Sequence, residues 1–424
     1  MSNLPKELLI ISYRAGVQGD VLAEFTDDKL RVATFLGIRT TLVTALGSKP
    51  FISDNLKTIQ VPSISYKDFI LEQENISNYF EKIPKWVKVY SIVPRSIGRI
   101  FDFIFKRING SSGHARWSWA LSAFMVSVYI CFRYKHRSVY AVGSVAAYLA
   151  GVFNRLITFS KLYVEVPDPI IAKEMKRTKT KSKIICIIEI FLILNSQKFI
   201  YTTKKAFTDA AIRYPKLKHR FLYVYPLAWN FNIKPILPPN KQQITIVHLG
   251  SVYGTRNFDS LFLALDNLYR KNSNFRDKIL LINLGPLDCG NKEMYLARKD
   301  FKSLPALSRE DALVFGSLCD YLLLLQHADN RSAESIPYKI YDYMNLDKPI
   351  FCIINNSEIE FLLEKRAHVY ISNLSDVKSI EKSLLKLISS KRFNSLDSEK
   401  QHHVIDQVTN EKSIIDNFRL MFSA

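Results

Sequence analysis

A chain of 424 residues with 48% hydrophobic and 23% charged residues has the apolar content for two or three packed domains and is not compositionally disordered. A net charge of +20 points to an anionic partner, whether nucleic acid, anionic lipid headgroups or phosphorylated small molecules. Its 5 cysteines are scattered and without metal-ligand spacing, which argues against a disulfide framework and for a reducing compartment. The N-terminal Met-Ser-Asn-Leu-Pro-Lys-Glu-Leu lacks the pattern of a signal peptide, and no window offers about 20 uninterrupted apolar residues. The expectation is a cytoplasmic protein, peripheral on the inner face of the cell membrane.

Leu8 to Ser12 is a short apolar run that predicts a buried parallel strand. A loop with Gly16 and Gly19 follows, then helical spacing from Val21 to Leu36 and a second strand from Ile38 to Thr44. This βαβ order makes the Gly16–Gly19 loop a candidate pocket wall, because ligands bind such sheets at the carboxyl ends of the strands. The spacing is not that of the dinucleotide fingerprint. Residues 66–135 mix basic side chains with Trp86, Tyr90, Ile97, Phe101 and Phe103, the composition of an interfacial amphipathic insert. A helix is predicted from His114 to Phe132 and a charged loop from Lys173 to Lys183. Asp168 follows the strand-like Leu162 to Val166, where a parallel sheet presents catalytic acids.

Residues 230–243 carry Pro235, Pro238 and Pro239 without periodicity and read as a linker between residues 1–229 and a second βα series over 244–400. Residues 401–424 read as a C-terminal helix returning to the first domain. The second series opens on a strand, Ile244 to His248, followed by the glycine loop Leu249-Gly-Ser-Val-Tyr-Gly-Thr-Arg256. The fold class is therefore α/β, with two doubly wound parallel sheets.

Within the second series lies Glu334-Ser-Ile-Pro-Tyr-Lys-Ile-Tyr-Asp342, two acids eight positions apart around a helix start. Ser335 is placed to cap the helix, and Pro337 suits its first turn. A helix N-terminus with free amides suits an anion, and flanking acids suit hydroxyls. A nucleotide sugar offers both; a capped surface helix with two solvated acids is the plain alternative.

These stretches resemble the GT-B glycosyltransferases, in particular the retaining family 4, also called group 1. Leu249 to Arg256 is similar to that family's strand-end glycine loop with a basic residue before its helix. Glu334 to Asp342, running through Asp347-Lys-Pro349 into Ile350, looks like its paired-acid motif followed by a strand. Ala15-Gly-Val-Gln18 and Asp168-Pro169 resemble its N-terminal glycine loop and acidic turn. The chain differs in having Asp at the second acid, Ser251 where many members have Arg, and no glycine after Glu334.

The resemblance implies two Rossmann-like domains facing across a cleft and transfer of a sugar from a nucleotide-sugar donor, with retention and without a metal or other cofactor. It implies that Glu334 bonds the donor sugar's hydroxyls, Asp342 the ribose, and Arg256 the diphosphate. Gly250 and Gly254 would admit the donor's close approach, and Lys339 would add positive charge. His114 and Asp168 are the candidate bases. The basic aromatic insert suggests a lipid-linked or polysaccharide acceptor at the membrane, in cell-envelope glycan synthesis. A nucleotide-sugar epimerase on the same fold and a non-catalytic partner subunit are the alternatives. Nucleic acid is set aside as a partner, since the sequence has no zinc spacing, recognised binding module or Arg-rich tail.

Overall fold

The computed structural model describes residues 4–17, 20–65, 95–109, 117–171, 179–226, 243–329, 332, 335–346, 348–364, 366–389 and 411–422. Gly19, His114 and Glu334 lie outside the described residues, as do residues 230–242 of the expected linker and 66–94 of the aromatic insert. The chain divides into two compact units, Met1–Leu227 with Ile414–Ala424, and Ala228–Ser413.

The first unit runs β1 (Glu7–Ser12), α1 (Val21–Phe35), β2 (Arg39–Ala45), β3 (Leu56–Val61), α2 (Arg95–Asn109), α3 (Trp119–Tyr134), β4 (Ser138–Val142), α4 (Val145–Thr158), β5 (Lys161–Val166), α5 (Lys179–Leu194), β6 (Lys198–Tyr201), α6 (Lys204–Arg213) and β7 (Phe221–Tyr223). Its strands form one parallel sheet in the order β3-β2-β1-β4-β5-β6-β7. Strands such as Leu8–Ile11 are buried throughout, which is why they read as continuous apolar runs rather than as alternation. The order reverses between β1 and β4.

The second unit repeats the plan: β8 (Ile244–Leu249), β9 (Val252–Tyr253), α7 (Asp259–Lys271), β10 (Ile279–Leu284), β11 (Leu287–Asp288), α8 (Lys292–Leu296), β12 (Phe301–Leu304), α9 (Arg309–Ser317), β13 (Tyr321–Leu325), α10 (Lys339–Asn345), β14 (Ile350–Ile354), α11 (Ser357–Leu363), β15 (Val369–Asn373) and α12 (Val377–Ser389). The parallel order is β12-β10-β8-β13-β14-β15, with β9 and β11 forming a separate two-stranded sheet. Here the order reverses between β8 and β13.

The last helix, α13 (Glu411–Phe422), belongs to the first unit. Phe422 stacks on Tyr140 and Tyr163, at centroid distances of 5.9 and 4.8 Å. Beneath it lies a buried ion pair, Lys29 Nζ to Glu165 Oε1 at 3.0 Å, and Tyr140 Oη donates to Glu165 Oε2.

The structure corrects four local expectations. The helix placed at His114 starts at Trp119, because Trp117 and Ser118 form a turn. Asp102 of α2 accepts from Ser118 N at 2.7 Å and Ser118 Oγ at 2.9 Å, which fixes that turn. Lys179 to Lys183, expected in a loop, are the start of α5. The strands β9, β11 and β12 went unpredicted because two to four residues carry no readable period.

The fourth correction concerns α10. It starts at Lys339 rather than after Ser335, and no side chain caps it. Ser335 O accepts from the Gln326 and Asn356 side-chain amides at 3.4 and 3.5 Å, which draws this residue onto the preceding and following loops. Asp342 consequently lies in the helix's first turn.

Candidate functional site

In open α/β sheets the crevice at the strand-order reversal is where ligands bind. In the second unit that crevice is propped by one side chain. Strands β8 and β13 are in register only at Tyr321 with Ile246 and Leu322 with Val247. Beyond that, Tyr343 of α10 reaches between them: its hydroxyl accepts from Leu249 N and donates to Leu323 O, each at 3.1 Å. Tyr343 is fully buried, and burial pushes its phenol far above the usual range. The hydroxyl satisfies two strand groups that a buried ladder gap would otherwise leave unpaired.

This anchor sets the helix register. Lys339 lies four residues before Tyr343, hence on the same face of α10. Its Nζ lies 2.7 Å from His248 Nε2. It also sits at the turn that leaves β8, since a Cβ added to Gly250 would be 3.3 Å from it. Gly250 has φ +106°, a conformation glycine tolerates. Gly285, at φ +141°, packs backbone to backbone on Gly250: a Cβ there would lie 2.7 Å from the Gly250 carbonyl carbon. Burial, then the charge of Arg256, holds the Lys339 ammonium well below its ordinary pKa, while Asp342 pulls the other way.

Arg256 is also close to this turn. It is buried, its Nη1 donates to Ser251 O at 3.3 Å, and its guanidinium lies over the Tyr253 ring at 5.4 Å. Gly254, at φ +62°, lets the chain fold back between them. The loop is tied to the one after β13: Thr255 Oγ1 donates to Asp329 Oδ2 at 2.7 Å, and Ala328 N donates to Thr255 O at 3.2 Å.

Asp342 is buried and forms a two-pronged ion pair with Arg309 of α9, Nη2 to Oδ1 at 2.6 Å and Nε to Oδ1 at 3.1 Å. The Arg309 guanidinium in turn lies 5.1 Å from the centre of the Tyr338 ring. Glu334 and residue 333 are outside the described residues, while Ser332 and Ser335 are described. Ser332 O accepts from Gln326 Nε2 at 3.0 Å and from Asn356 Nδ2 at 2.6 Å, and Ser335 O accepts from the same two amides.

The structure thus brings Gly250, Gly254, Arg256, Lys339 and Asp342 to one end of the second sheet. The two first-unit candidates that are described, Gly16 and Asp168, belong to the other unit. Gly16, at φ +61°, donates its amide to both oxygens of Asp27 at 3.0 and 2.9 Å, and a Cβ on it would fall 1.9 Å from Lys49 O. Asp168 is exposed just beyond the carboxyl end of β5.

Four site residues escaped sequence reasoning: His248, Asn283, Arg309 and Tyr343. His248 and Asn283 were detectable in principle. Each is the polar penultimate residue of its strand, in β10 the only polar one and in β8 one of two with Thr245, and the two face each other in register across β8 and β10. Among the described residues no group of three or more His, Cys, Asp or Glu side chains could hold a metal ion.

No protein-family model matches the chain, and no curated protein matches it by sequence. Solved structures do match by shape. WaaG, a glycosyltransferase involved in lipopolysaccharide biosynthesis, aligns with TM-score 0.60 and 13% identity over 98% of this chain and 100% of that one. The lipopolysaccharide outer core galactosyltransferase WaaB aligns with TM-score 0.56 and 11% identity over 98% of both chains. Anabaena HepE in complex with UDP-glucose aligns with TM-score 0.55 and 12% identity, over 98% of this chain and 94% of that one. The fold is the α/β fold of GT-B glycosyltransferases, with two parallel sheets and surrounding helices.

Proposed function

We propose that this protein is a glycosyltransferase that takes a sugar from a nucleotide donor bound at the β8–β13 crevice of the second unit. The observation that carries this reading is the placing of Lys339 and Arg256 at the tight Gly250 turn, on the carboxyl side of β8. Cleaving a sugar–phosphate bond leaves a nucleoside diphosphate, and fixed positive charge stabilises that developing anion. The missing Cβ at Gly250 lets phosphate oxygens come close to the backbone beside both cations. In this reading Asp342, positioned by Arg309, faces the ribose, and Glu334 meets the sugar hydroxyls. The structural neighbours caught with UDP-glucose or a fluorinated analogue support a donor of this class.

In this reading the chemistry is retaining, needs no metal, and draws a base from Asp168 or His114. The acceptor is a lipid-linked or growing envelope glycan, and the protein works on the cytoplasmic membrane surface. The support for membrane contact is the outward face of α2. Gly98 packs against the Ile64–Ser65 backbone and Asp102 is buried, so the helix turns its small and acidic residues inward. Ile97, Ile100, Phe101, Phe103 and Ile104 are exposed, beside exposed Arg99. An apolar face edged with a cation suits an anionic bilayer. Among the described residues no helix is long and apolar enough to cross a membrane.

A thermal-shift panel of UDP-, GDP-, CMP- and dTDP-sugars tests the donor site, because a ligand that binds only the folded state raises its melting temperature. One nucleotide class should stabilise the protein, and Glu334→Ala should abolish transfer with the fold intact. Full transfer by Glu334→Ala would remove the donor-site assignment.

A further inference from the structure

We infer that His248 and Asn283 form a positioning relay that sets the Lys339 ammonium at the Gly250 turn, ready for the diphosphate of the donor. This inference rests on the proposed glycosyltransferase reading and names residues that no motif in the sequence singled out.

The relay is a directed chain of hydrogen bonds. Asn283 Nδ2 donates to Gly285 O at 2.8 Å, so its Oδ1 is the atom turned toward His248. His248 Nδ1 lies 2.8 Å from that oxygen and must donate to it. In a neutral ring this leaves Nε2 as the acceptor, and Lys339 Nζ fills it at 2.7 Å. Both relay residues are fully buried. Polar groups buried in a sheet are costly unless paired, so the geometry is closely specified.

The chain also closes on the turn it serves. Gly285, which accepts from Asn283, is the residue packed against the Gly250 backbone, and Gly250 N donates to Leu284 O at 2.7 Å. Movement of the relay therefore moves the turn and the lysine together.

The charges around the relay explain its use. The acid nearest Lys339 on its own helix is Asp342, and that carboxylate is occupied by Arg309 from α9. Arg256, from the β8–α7 loop, adds a second positive charge, and it acts on both Lys339 and His248. Lys339 is consequently held by a neutral ring rather than a carboxylate. Its position is fixed, and an incoming anion would favour the ammonium form that burial and Arg256 disfavour. Burial, reinforced by Lys339 and Arg256, keeps the imidazole neutral by holding it well below its ordinary pKa.

The test is calorimetric titration of UDP, GDP, CDP and dTDP into the full-length protein and its variants between pH 6 and 8.5, with donor KM and kcat measured alongside. His248→Phe removes the acceptor and should weaken nucleoside diphosphate binding about tenfold to a hundredfold, the scale of one lost charge-assisted hydrogen bond. His248→Gln keeps an acceptor and should stay within about threefold of the wild type, by the same measure. Asn283→Asp sets a carboxylate beside the ring and favours the imidazolium, which cannot accept from Lys339. Its affinity should therefore fall as pH drops across this range, a limb the wild type lacks, with the effect mainly on KM. A purely structural role would not create that limb, and Asn283→Asp and His248→Gln carry the test if His248→Phe fails to fold. Wild-type binding with unchanged affinities and pH profiles in the variants would overturn the relay and leave the donor site standing. Binding of none of the four nucleotides by the wild type would overturn the donor site and the relay with it.

Discussion

The two units share a sheet plan, and their strand-order reversals are used in opposite ways. At the β1–β4 reversal the polar groups serve the unit's own fold. Gly16 N is taken by Asp27, while Asp20 caps α1 through Leu22 N and Ala23 N and also pairs with Arg14. Further in, Lys29 and Glu165 neutralise each other under α13. At the β8–β13 reversal a tyrosine holds the crevice, and Lys339 is bonded to a neutral histidine beside Arg256. Topology supplies a crevice in each unit. The residues placed in it decide whether it is filled from within or offers charge to a ligand.

Matched lysine substitutions give the largest separation of the two roles. Lys339→Met should cost about a hundredfold to a thousandfold in sugar transfer, the range for removing one preorganised electrostatic group, with a loss of about 1–3 kcal/mol in stability from the His248 acceptor it leaves unpaired. Lys29→Met should instead destabilise the first unit by about 3–5 kcal/mol, because Glu165 is left buried without its cation, while the folded fraction keeps its transfer rate. Transfer assays on purified folded protein, paired with thermal melts, separate the two outcomes.

Glycine substitutions sharpen the same contrast. In Gly16→Ala the new methyl meets the Lys49 backbone at 1.9 Å, so soluble protein should be lost. In Gly250→Ala it meets only the end of Lys339, at 3.3 Å, although φ is +106°. That variant should fold, with a lowered melting temperature and donor KM raised by the displaced ammonium. A folded, stable Gly16→Ala protein would show that the first loop is not locked as described.

A smaller effect should follow Tyr343→Phe. Leu249 N–H and Leu323 C=O lose their bridge, at a cost of about 1–3 kcal/mol for buried unsatisfied groups. Urea unfolding followed by the second unit's hydrogen exchange would show the change, and an unaltered exchange pattern would remove Tyr343 as the prop.

The smallest effect is on pH. His248 is neutral when folded, with its pKa lowered by burial, and ordinary when unfolded. The unfolded state therefore binds the extra proton as pH falls through about 6.5. The stability tied to this ring is present above that pH and declines below it, by up to about 1.4 kcal/mol per pH unit. Melting temperatures from pH 8 to 5 should fall less steeply in His248→Gln than in the wild type.

Much of this was legible in the chain itself. Buried parallel strands announce themselves as apolar runs, and Gly250, Gly254, Arg256, Lys339 and Asp342 are positions that the family resemblance implied and that the fold gathers at one end of the second sheet. The remainder was hidden for specific reasons. Arg309 reaches Asp342 from 33 residues away, a distance no local pattern encodes. Nothing in the local pattern marks Tyr343, because its hydroxyl matters only where two strands part. The helix start was misplaced because Ser335 has the chemistry of a cap, whereas its carbonyl is taken by Gln326 and Asn356.

The central claim is that a nucleotide donor binds at the β8–β13 crevice, and hydrogen exchange with and without UDP, GDP, CDP and dTDP tests it most directly. At least one nucleotide should protect the amides of Gly250 to Arg256 and the first turn of α10, and Lys339→Met should erase that protection. Protection confined to the Tyr13–Val17 loop of the first unit, or none with any of the four, would contradict it.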